Sequence, residues 1–166
     1  IAVEILKKLI EEQVSVYKRT NVVKSEKFSE IMQMAMNRYL NGLLTNEQVI
    51  EELLNIAKNI AREKESGGTM GLSPDEEAFY DALTKPQAIK DFYENEELIA
   101  ITKELTDTLR KNKTIDWQRR ESARAKMRLL IKRLLKKHKY PPEGMDDAVQ
   151  TVMTQCELWT DNMMDA

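Results

Sequence analysis

The sequence is poor in the residues that most often carry chemistry or cross-link a fold. Its 166 residues include one cysteine, Cys156, and one histidine, His138. A single cysteine excludes a disulfide within the chain and is typical of proteins that fold in a reducing compartment. Zinc sites use three or four cysteine, histidine or carboxylate ligands, so these two residues alone do not indicate one.

Nucleophilic catalysis is also disfavoured, because a triad needs a base beside its nucleophile. His138 falls on the apolar side of a predicted helix, at the C-terminal end, where the helix dipole favours a partly buried histidine. Cys156 falls on an apolar helix face and is expected to be a core thiol. Adjacent acids such as Glu51 and Glu52 diverge by about 100° on a helix, which favours solvated or capping roles. We predict no catalytic residue, no metal site and no cofactor in these residues.

Long apolar runs and β-patterns are missing as well. No stretch approaches the roughly 20 apolar residues that cross a bilayer, and no signal peptide is visible, so we predict a cytoplasmic protein without a membrane partner. Aromatic residues make up 6% of the chain and charged residues 33%. Apolar residues recur with helical period and no period-2 window competes. We therefore predict an all-α fold, an irregular bundle of about seven helices without a sheet.

The chain divides by composition into three parts. Residues 1–65 are predicted to form about three helices, and residues 66–72, which hold three of the five glycines, a mobile loop. Residues 73–166 follow as the C-terminal helices, opened by Ser73 as N-cap with Pro74 at the first helical position. We expect one folded unit, cut from a longer polypeptide because Ile1 already lies inside an amphipathic pattern.

A basic segment, residues 116–139, is the most distinctive part of the chain. It is predicted as one helix, with Asp116 as a plausible N-cap and an apolar arc facing the core. The arc contains Ala123, Met127, Leu130, Ile131, Leu134 and Leu135. The candidate contacts for DNA or a protein partner are Arg119, Arg124, Lys126, Arg128, Lys132, Arg133, Lys136 and Lys137. Arg120 projects into the apolar arc instead, so we predict that it is buried and paired with an acid of a neighbouring helix.

The charge of this region is strongly asymmetric. Residues 110–139 hold 13 basic residues and two acids, a net charge of +11, whereas the remainder carries a net charge of −13. Pairing between neighbours on the helix cannot neutralise such an excess. The basic face is therefore either balanced by acids from elsewhere in the chain or open to an anionic partner.

The basic segment resembles the C-terminal signature of the restriction (R) subunit of type I restriction–modification enzymes. The residues that carry the resemblance are Asp116, Trp117, Arg120, Glu121, Arg124, Ala125, Lys126, Met127, Arg128, Lys132, Arg133, Leu134, Leu135, Lys137, Tyr140, Pro141 and Pro142. Shorter similar stretches are Glu51-Glu52-Leu53, Gly71-Leu72-Ser73, Glu77 to Leu83, Asp91 to Asn95 and Gln155-Cys156-Glu157. The similarity covers roughly residues 48–158.

The resemblance implies that the chain is the non-catalytic, helical C-terminal domain of an R subunit. The parent subunit would translocate and cleave duplex DNA with ATP and Mg²⁺. The domain would dock it onto the methyltransferase and specificity subunits. The alternative is that the basic helix guides duplex DNA without reading its sequence. Docking predicts an exposed apolar or mixed patch in the first 45 residues, where Met32, Met34 and Met36 are either surface anchors or partly core residues.

Overall fold

The chain is all-α in the computed structural model, which describes residues 1–114 and 116–164. This part contains eight α-helices and no strand, which confirms the predicted fold class. The helices are α1 (Ala2–Thr20), α2 (Val22–Leu40), α3 (Asn46–Thr69), α4 (Pro74–Leu83), α5 (Gln87–Phe92), α6 (Asn95–Asn112), α7 (Glu121–Lys137) and α8 (Met145–Met164). Single 3₁₀ turns at Trp117–Arg119 and Pro142–Gly144 precede α7 and α8. Within the described ranges, no helix has the length and hydrophobicity to cross a membrane.

The helices belong to two compact units. The first unit consists of Ile1–Arg19 and Lys24–Gly71, and the second of Thr20–Val23 together with the chain from Leu72 onward. The second unit is therefore discontinuous in sequence. A four-residue piece from the α1–α2 junction belongs with helices that begin some fifty residues later.

The first unit packs around the stripes that helical period predicts. Ile10 and Val14 of α1, Phe28 of α2 and Leu53 of α3 are buried in one apolar cluster. The rings of Tyr17 and Phe28 stack within it, with centroids 6.1 Å apart. Each fully buried aliphatic or aromatic side chain contributes about 1.5–3 kcal/mol, so this cluster is the main source of the unit's stability.

The glycine-rich stretch is largely helical, so the predicted loop at residues 66–72 is wrong over most of its length. Helix α3 continues to Thr69, and only then does Gly71 turn the chain with φ +74°. The hydroxyl groups of Ser66 and Thr69 donate to the carbonyl oxygens of Glu63 and Glu65, which is compatible with helix. Each glycine costs a helix only about 1 kcal/mol, too little to end one already held by packing.

The second unit contains the five helices α4 to α8, of which four make the main packing contacts. Helix α4 packs against α6 and α8, and α7 packs against α6 and α8. Helix α4 begins as the sequence predicts, because Ser73 and Glu76 form a reciprocal capping box with Pro74 at the first position. Helices α5 and α6 are separated at Tyr93 and Glu94, and the Glu94 amide donates to the Glu97 carboxylate at 3.4 Å at the start of α6.

The α1–α2 junction is held inside the second unit by α8. The buried Gln155 side chain accepts a hydrogen bond from the Val22 amide (2.8 Å) and donates one to the Thr20 carbonyl oxygen (2.9 Å). Asn21 adds a hydrogen bond from Nδ2 to Oδ2 of Asp81, at 2.8 Å. Side chains on α8 and α4 thus satisfy backbone and side-chain groups of a junction that is remote in sequence.

Candidate interaction surface on the basic helix

The basic helix begins at Glu121, four residues after the start that Asp116 as N-cap predicts. Trp117 starts a 3₁₀ turn and is buried, where its Nε1 donates to Oγ1 of Thr160 at 2.9 Å. Arg120 then has extended backbone (φ −107°, ψ 121°), and α7 starts at Glu121. The prediction of a single helix capped by Asp116 is therefore wrong, because Asp116 makes no side-chain cap bond and the buried indole sets a separate turn.

From Glu121 onward the two predicted faces of α7 are present. Met127, Ile131, Leu134 and Leu135 are buried, and Ala123 and Leu130 are half-buried at the margin. The exposed candidate contacts are Arg119, Lys126, Arg128, Arg133, Lys136 and Lys137. Lys132 and Arg124 are half-buried. The helix thus has a core face towards its own unit and a positive face towards solvent.

Arg124 forms the ion pair that the sequence assigns to Arg120. Its guanidinium pairs with the Glu157 carboxylate of α8, and the two side chains are only 26% and 33% exposed. The same nitrogen also donates to the Gln118 carbonyl oxygen at 3.4 Å. Arg120 is exposed, so its predicted burial is wrong. The error follows from the late helix start, since Arg120 does not lie on the helical projection used to place it.

Glu104 of α6 neutralises the end of α7. Its carboxylate accepts from Nζ of Lys137 at 2.7 Å and lies 2.6 Å from Nε2 of His138. Hydrogen bonding from Lys137, and then from His138, holds the pKa of Glu104 below its ordinary value of 4.5. His138 is half-buried at the C-cap of α7, which agrees with the structural role predicted for it.

Two further cations of the basic region lie on an aromatic ring. The guanidinium carbon of Arg110 is 5.4 Å from the centroid of the Trp159 ring, and Nζ of Lys113 is 3.4 Å from it. Burial lowers the pKa of Lys113. Such cation–π contacts stabilise the unit, so we assign these two cations to its structure and not to the surface that is open to a partner.

The remaining cations form two rows along α7. Arg128, Lys132 and Lys136 are spaced four residues apart and make one row. Lys126 and Arg133 belong to the other, about a third of the helix circumference away, and the exposed Leu129 lies between the rows. None of these five cations has an ion pair with a residue in the described ranges. Together with the exposed Arg119, which precedes α7, they are the part of the predicted contact set that is left open to a partner.

The C-terminal end of α7 is a Schellman turn. Lys139 occupies the left-handed region with φ +60°, its amide donates to the Lys136 carbonyl oxygen (3.0 Å), and the Tyr140 amide donates to that of Leu135 (2.9 Å). Beyond it the Tyr140 hydroxyl donates to the Leu83 carbonyl oxygen at 2.7 Å, and burial raises the pKa of Tyr140 to about 12. The proline pair in the sequence signals where α7 ends, but nothing local signals the left-handed lysine.

A surface cleft of about 530 Å³ opens beside this turn. It is lined by Lys132, Lys136, Lys139, Tyr140, Pro142, Met145 and Asp146. The cleft, which we call the α7–α8 cleft, brings the basic row next to apolar surface and one carboxylate. Sequence reasoning missed it, because it depends on how the Schellman turn and the 3₁₀ turn at Pro142–Gly144 bring α8 back beside α7.

Cys156 is a core thiol, as predicted. It is fully buried, and burial raises its pKa to about 12. Its carbonyl oxygen accepts from the Thr160 hydroxyl at 2.9 Å, which links it to the Trp117 anchor. Across the described residues, no group of three or more histidine, cysteine, aspartate or glutamate side chains has an arrangement that could hold a metal ion.

Comparison with known proteins identifies the family. Residues 1–162 match the family model described as the C-terminal region of proteins like the HindI type I restriction enzyme endonuclease subunit. The chain belongs to this family. It is 37% identical over 155 residues to the HindI endonuclease subunit of Haemophilus influenzae, which covers 93% of the chain and 15% of that protein. It is 30% identical over 145 residues to the MjaIXP endonuclease subunit of Methanocaldococcus jannaschii, which covers 87% of the chain and 13% of that protein.

This C-terminal region of a type I endonuclease subunit thus spans about one seventh of the length of its curated relatives. No solved structure matches it. Several residues that carry the type I resemblance are structural in this chain. Trp117 anchors the turn before α7, Arg124 pairs with Glu157, Tyr140 caps the chain against α4, and Gln155 holds the α1–α2 junction.

Proposed function

We propose that this chain docks the endonuclease subunit of a type I restriction enzyme onto its methyltransferase and specificity subunits. The nuclease and motor activities, with their ATP and Mg²⁺, would belong to the rest of the parent subunit, which cleaves duplex DNA in the cytoplasm. The 166 residues described above would contribute contacts and no chemistry.

The observation that carries the docking role is an apolar face on α1. Ile5, Leu9 and Val16 are 55%, 52% and 46% exposed and project within about 40° of one another. The three side chains span three helical turns on one face, with the exposed Glu12 among them, and form a mixed apolar and polar patch of the kind that interaction surfaces use. Of the three methionines considered for this role, Met34 is 64% exposed, whereas Met32 and Met36 pack partly buried against the core of the first unit.

Gel filtration with the DNA-free methyltransferase–specificity core, near physiological salt, tests this role. We expect the wild-type chain to co-elute with the core and the variant Ile5→Ser/Leu9→Ser/Val16→Ser to elute separately while keeping its helical content. The matched control is Met34→Ser/Leu40→Ser/Leu43→Ser, which removes three exposed apolar side chains from other parts of the first unit. Separate elution of the wild-type chain would contradict docking. Loss in the control alone would move the docking surface to α2 and the turn that follows it.

A second candidate function, guiding duplex DNA without sequence preference, is supported by the unpaired row Arg128, Lys132 and Lys136. Phosphate contacts from such a row give binding that weakens with salt, by about 0.9 in the logarithmic slope for each contact. We expect Arg128→Glu/Lys132→Glu/Lys136→Glu to lose binding to a short duplex and to flatten the salt dependence. An unchanged affinity in this variant would contradict a role in guiding DNA.

A further inference from the structure

The α7–α8 cleft combines a charged rim with an apolar floor. Lys132, Lys136 and Lys139 supply the rim from α7 and its Schellman turn, and Asp146 lies at the start of α8. Among the described residues, none of these four side chains is joined to another by an ion pair. The cleft therefore carries an unneutralised positive charge and favours an anionic occupant.

The floor of the cleft distinguishes between kinds of anion. Tyr140 and Met145 are buried core residues whose outer surfaces line it, together with the exposed Pro142. The Tyr140 hydroxyl is already committed to the Leu83 carbonyl oxygen, so the ring presents apolar surface and no free donor. A duplex backbone presents phosphates and sugars, makes no use of an apolar floor, and is repelled by Asp146. An acidic protein segment with an apolar side chain uses both rim and floor.

The spacing of the rim lysines is matched by a helical segment. Lys132 and Lys136 are one helical turn apart, with Cβ atoms about 6 Å from each other. Two carboxylates one turn apart on a partner helix have the same separation, and an apolar residue three positions after the first carboxylate projects about 60° to one side of it, where it can meet the floor. We propose that the α7–α8 cleft binds an acidic amphipathic helix of the methyltransferase–specificity core. This inference rests on the proposed docking role and adds a second contact, chemically different from the α1 face.

The test compares two charge reversals of equal size on the same helix. The variant Lys132→Glu/Lys136→Glu changes the rim of the cleft. The control Lys126→Glu/Arg133→Glu changes the other row, outside the cleft. Lys126, Arg133 and Lys136 are exposed and Lys132 is half-buried. None of the four has an ion pair with a described residue, so both variants should keep wild-type helical content and melting temperature. Each variant is titrated against the DNA-free methyltransferase–specificity core and, separately, against a short duplex.

We expect the rim variant to bind the core at least about tenfold more weakly than wild type, because each reversed charge would repel the partner carboxylate that it attracts in the proposed complex. The control should bind within about twofold of wild type. If both variants lose the same affinity for the core, or if neither loses any, the cleft proposal is wrong. The docking role still holds in that case, provided that the wild type binds the core. A rim variant that loses duplex affinity alone would show the cleft to be a phosphate site. If the wild type itself does not bind the core, docking and cleft proposal both fail.

Discussion

Gln155 donates a hydrogen bond from Nε2 to the carbonyl oxygen of Thr20, at 2.9 Å, across 135 positions of the sequence. Its Oε1 accepts from the Val22 amide at 2.8 Å. One buried side-chain amide thus pairs with two backbone groups of the α1–α2 junction, as an acceptor for one and a donor to the other.

Replacing Gln155 by alanine should therefore destabilise the protein by about 1–2 kcal/mol, because the Val22 amide and the Thr20 carbonyl oxygen lose a partly buried hydrogen-bond partner. Gln155→Glu keeps the acceptor for Val22 and loses the donor for Thr20. We expect urea denaturation to show a lower free energy of unfolding for both variants than for wild type. The exposed Gln150→Ala on the same helix is the control and should leave the midpoint nearly unchanged. Equal midpoints for Gln155→Ala and Gln150→Ala would contradict the role of the junction contact.

Lys139→Gly should stabilise the protein. A non-glycine residue in the left-handed region costs about 1–2 kcal/mol, and glycine avoids this cost. Glycine also increases the conformational entropy of the unfolded chain, which offsets part of the gain. We expect a net gain on the order of 0.5–1 kcal/mol in the free energy of unfolding. Lys139→Ala removes the same charge but keeps the strain, so a gain in the alanine variant of equal size would assign the effect to charge instead.

The contribution of Glu104 should depend on pH. Its folded-state pKa lies below the ordinary value, so its interactions with Lys137 and His138 contribute stability above pH 4.5 and lose it as the pH falls through the folded pKa. We expect Glu104→Gln to lower the melting temperature at pH 7. The difference from wild type should shrink as the pH is lowered below 4.5 and falls through the folded-state pKa.

The control for this experiment is Glu51→Gln, an exposed position on α3 without an ion pair to any described residue. It should change the melting temperature little at either end of the range. If the difference in melting temperature between wild type and Glu104→Gln stays constant with pH, the ionised carboxylate of Glu104 is not the source of the stability.

Arg124 should behave as a structural residue and not as a contact for DNA. A double-mutant cycle of Arg124→Gln and Glu157→Gln should give a coupling of about 1 kcal/mol, since the pair is only partly exposed. Duplex binding by Arg124→Gln should stay within about twofold of wild type, with an unchanged salt slope. A reduced slope in this variant, measured beside Arg128→Gln, would return Arg124 to the contact set.

Local rules were sufficient for the fold class and for much of the core. Helical period placed Met127, Ile131, Leu134 and Leu135 on the buried face, and the capping residues Ser73 and Glu76 fixed the start of α4. These outcomes depend on residues within a turn or two of one another. The same rules failed at Arg120, because the turn before it is set by the hydrogen bond from Trp117 to Thr160, 43 positions away.

The candidate surface was predictable only as a list of charges. Sequence alone cannot tell that Glu157 neutralises Arg124 or that Glu104 neutralises Lys137, because each pair is separated by 33 positions. The tertiary fold thus selects which cations remain outward. The α7–α8 cleft has the same origin, since Lys132 and Met145 become neighbours only when Lys139 adopts its left-handed conformation and the chain turns back.

The discontinuity of the second unit also sets the order of events during synthesis. Thr20 leaves the ribosome long before Gln155 exists, and at 5–20 residues per second the 135 positions between them take roughly 7–27 s to translate. Through that interval the α1–α2 junction has no native partner from α8, however early the first helices form. The second unit completes its fold only after α8 has been made. Until then, the Thr20 carbonyl oxygen and the Val22 amide lack the Gln155 side chain that pairs with them in the folded protein.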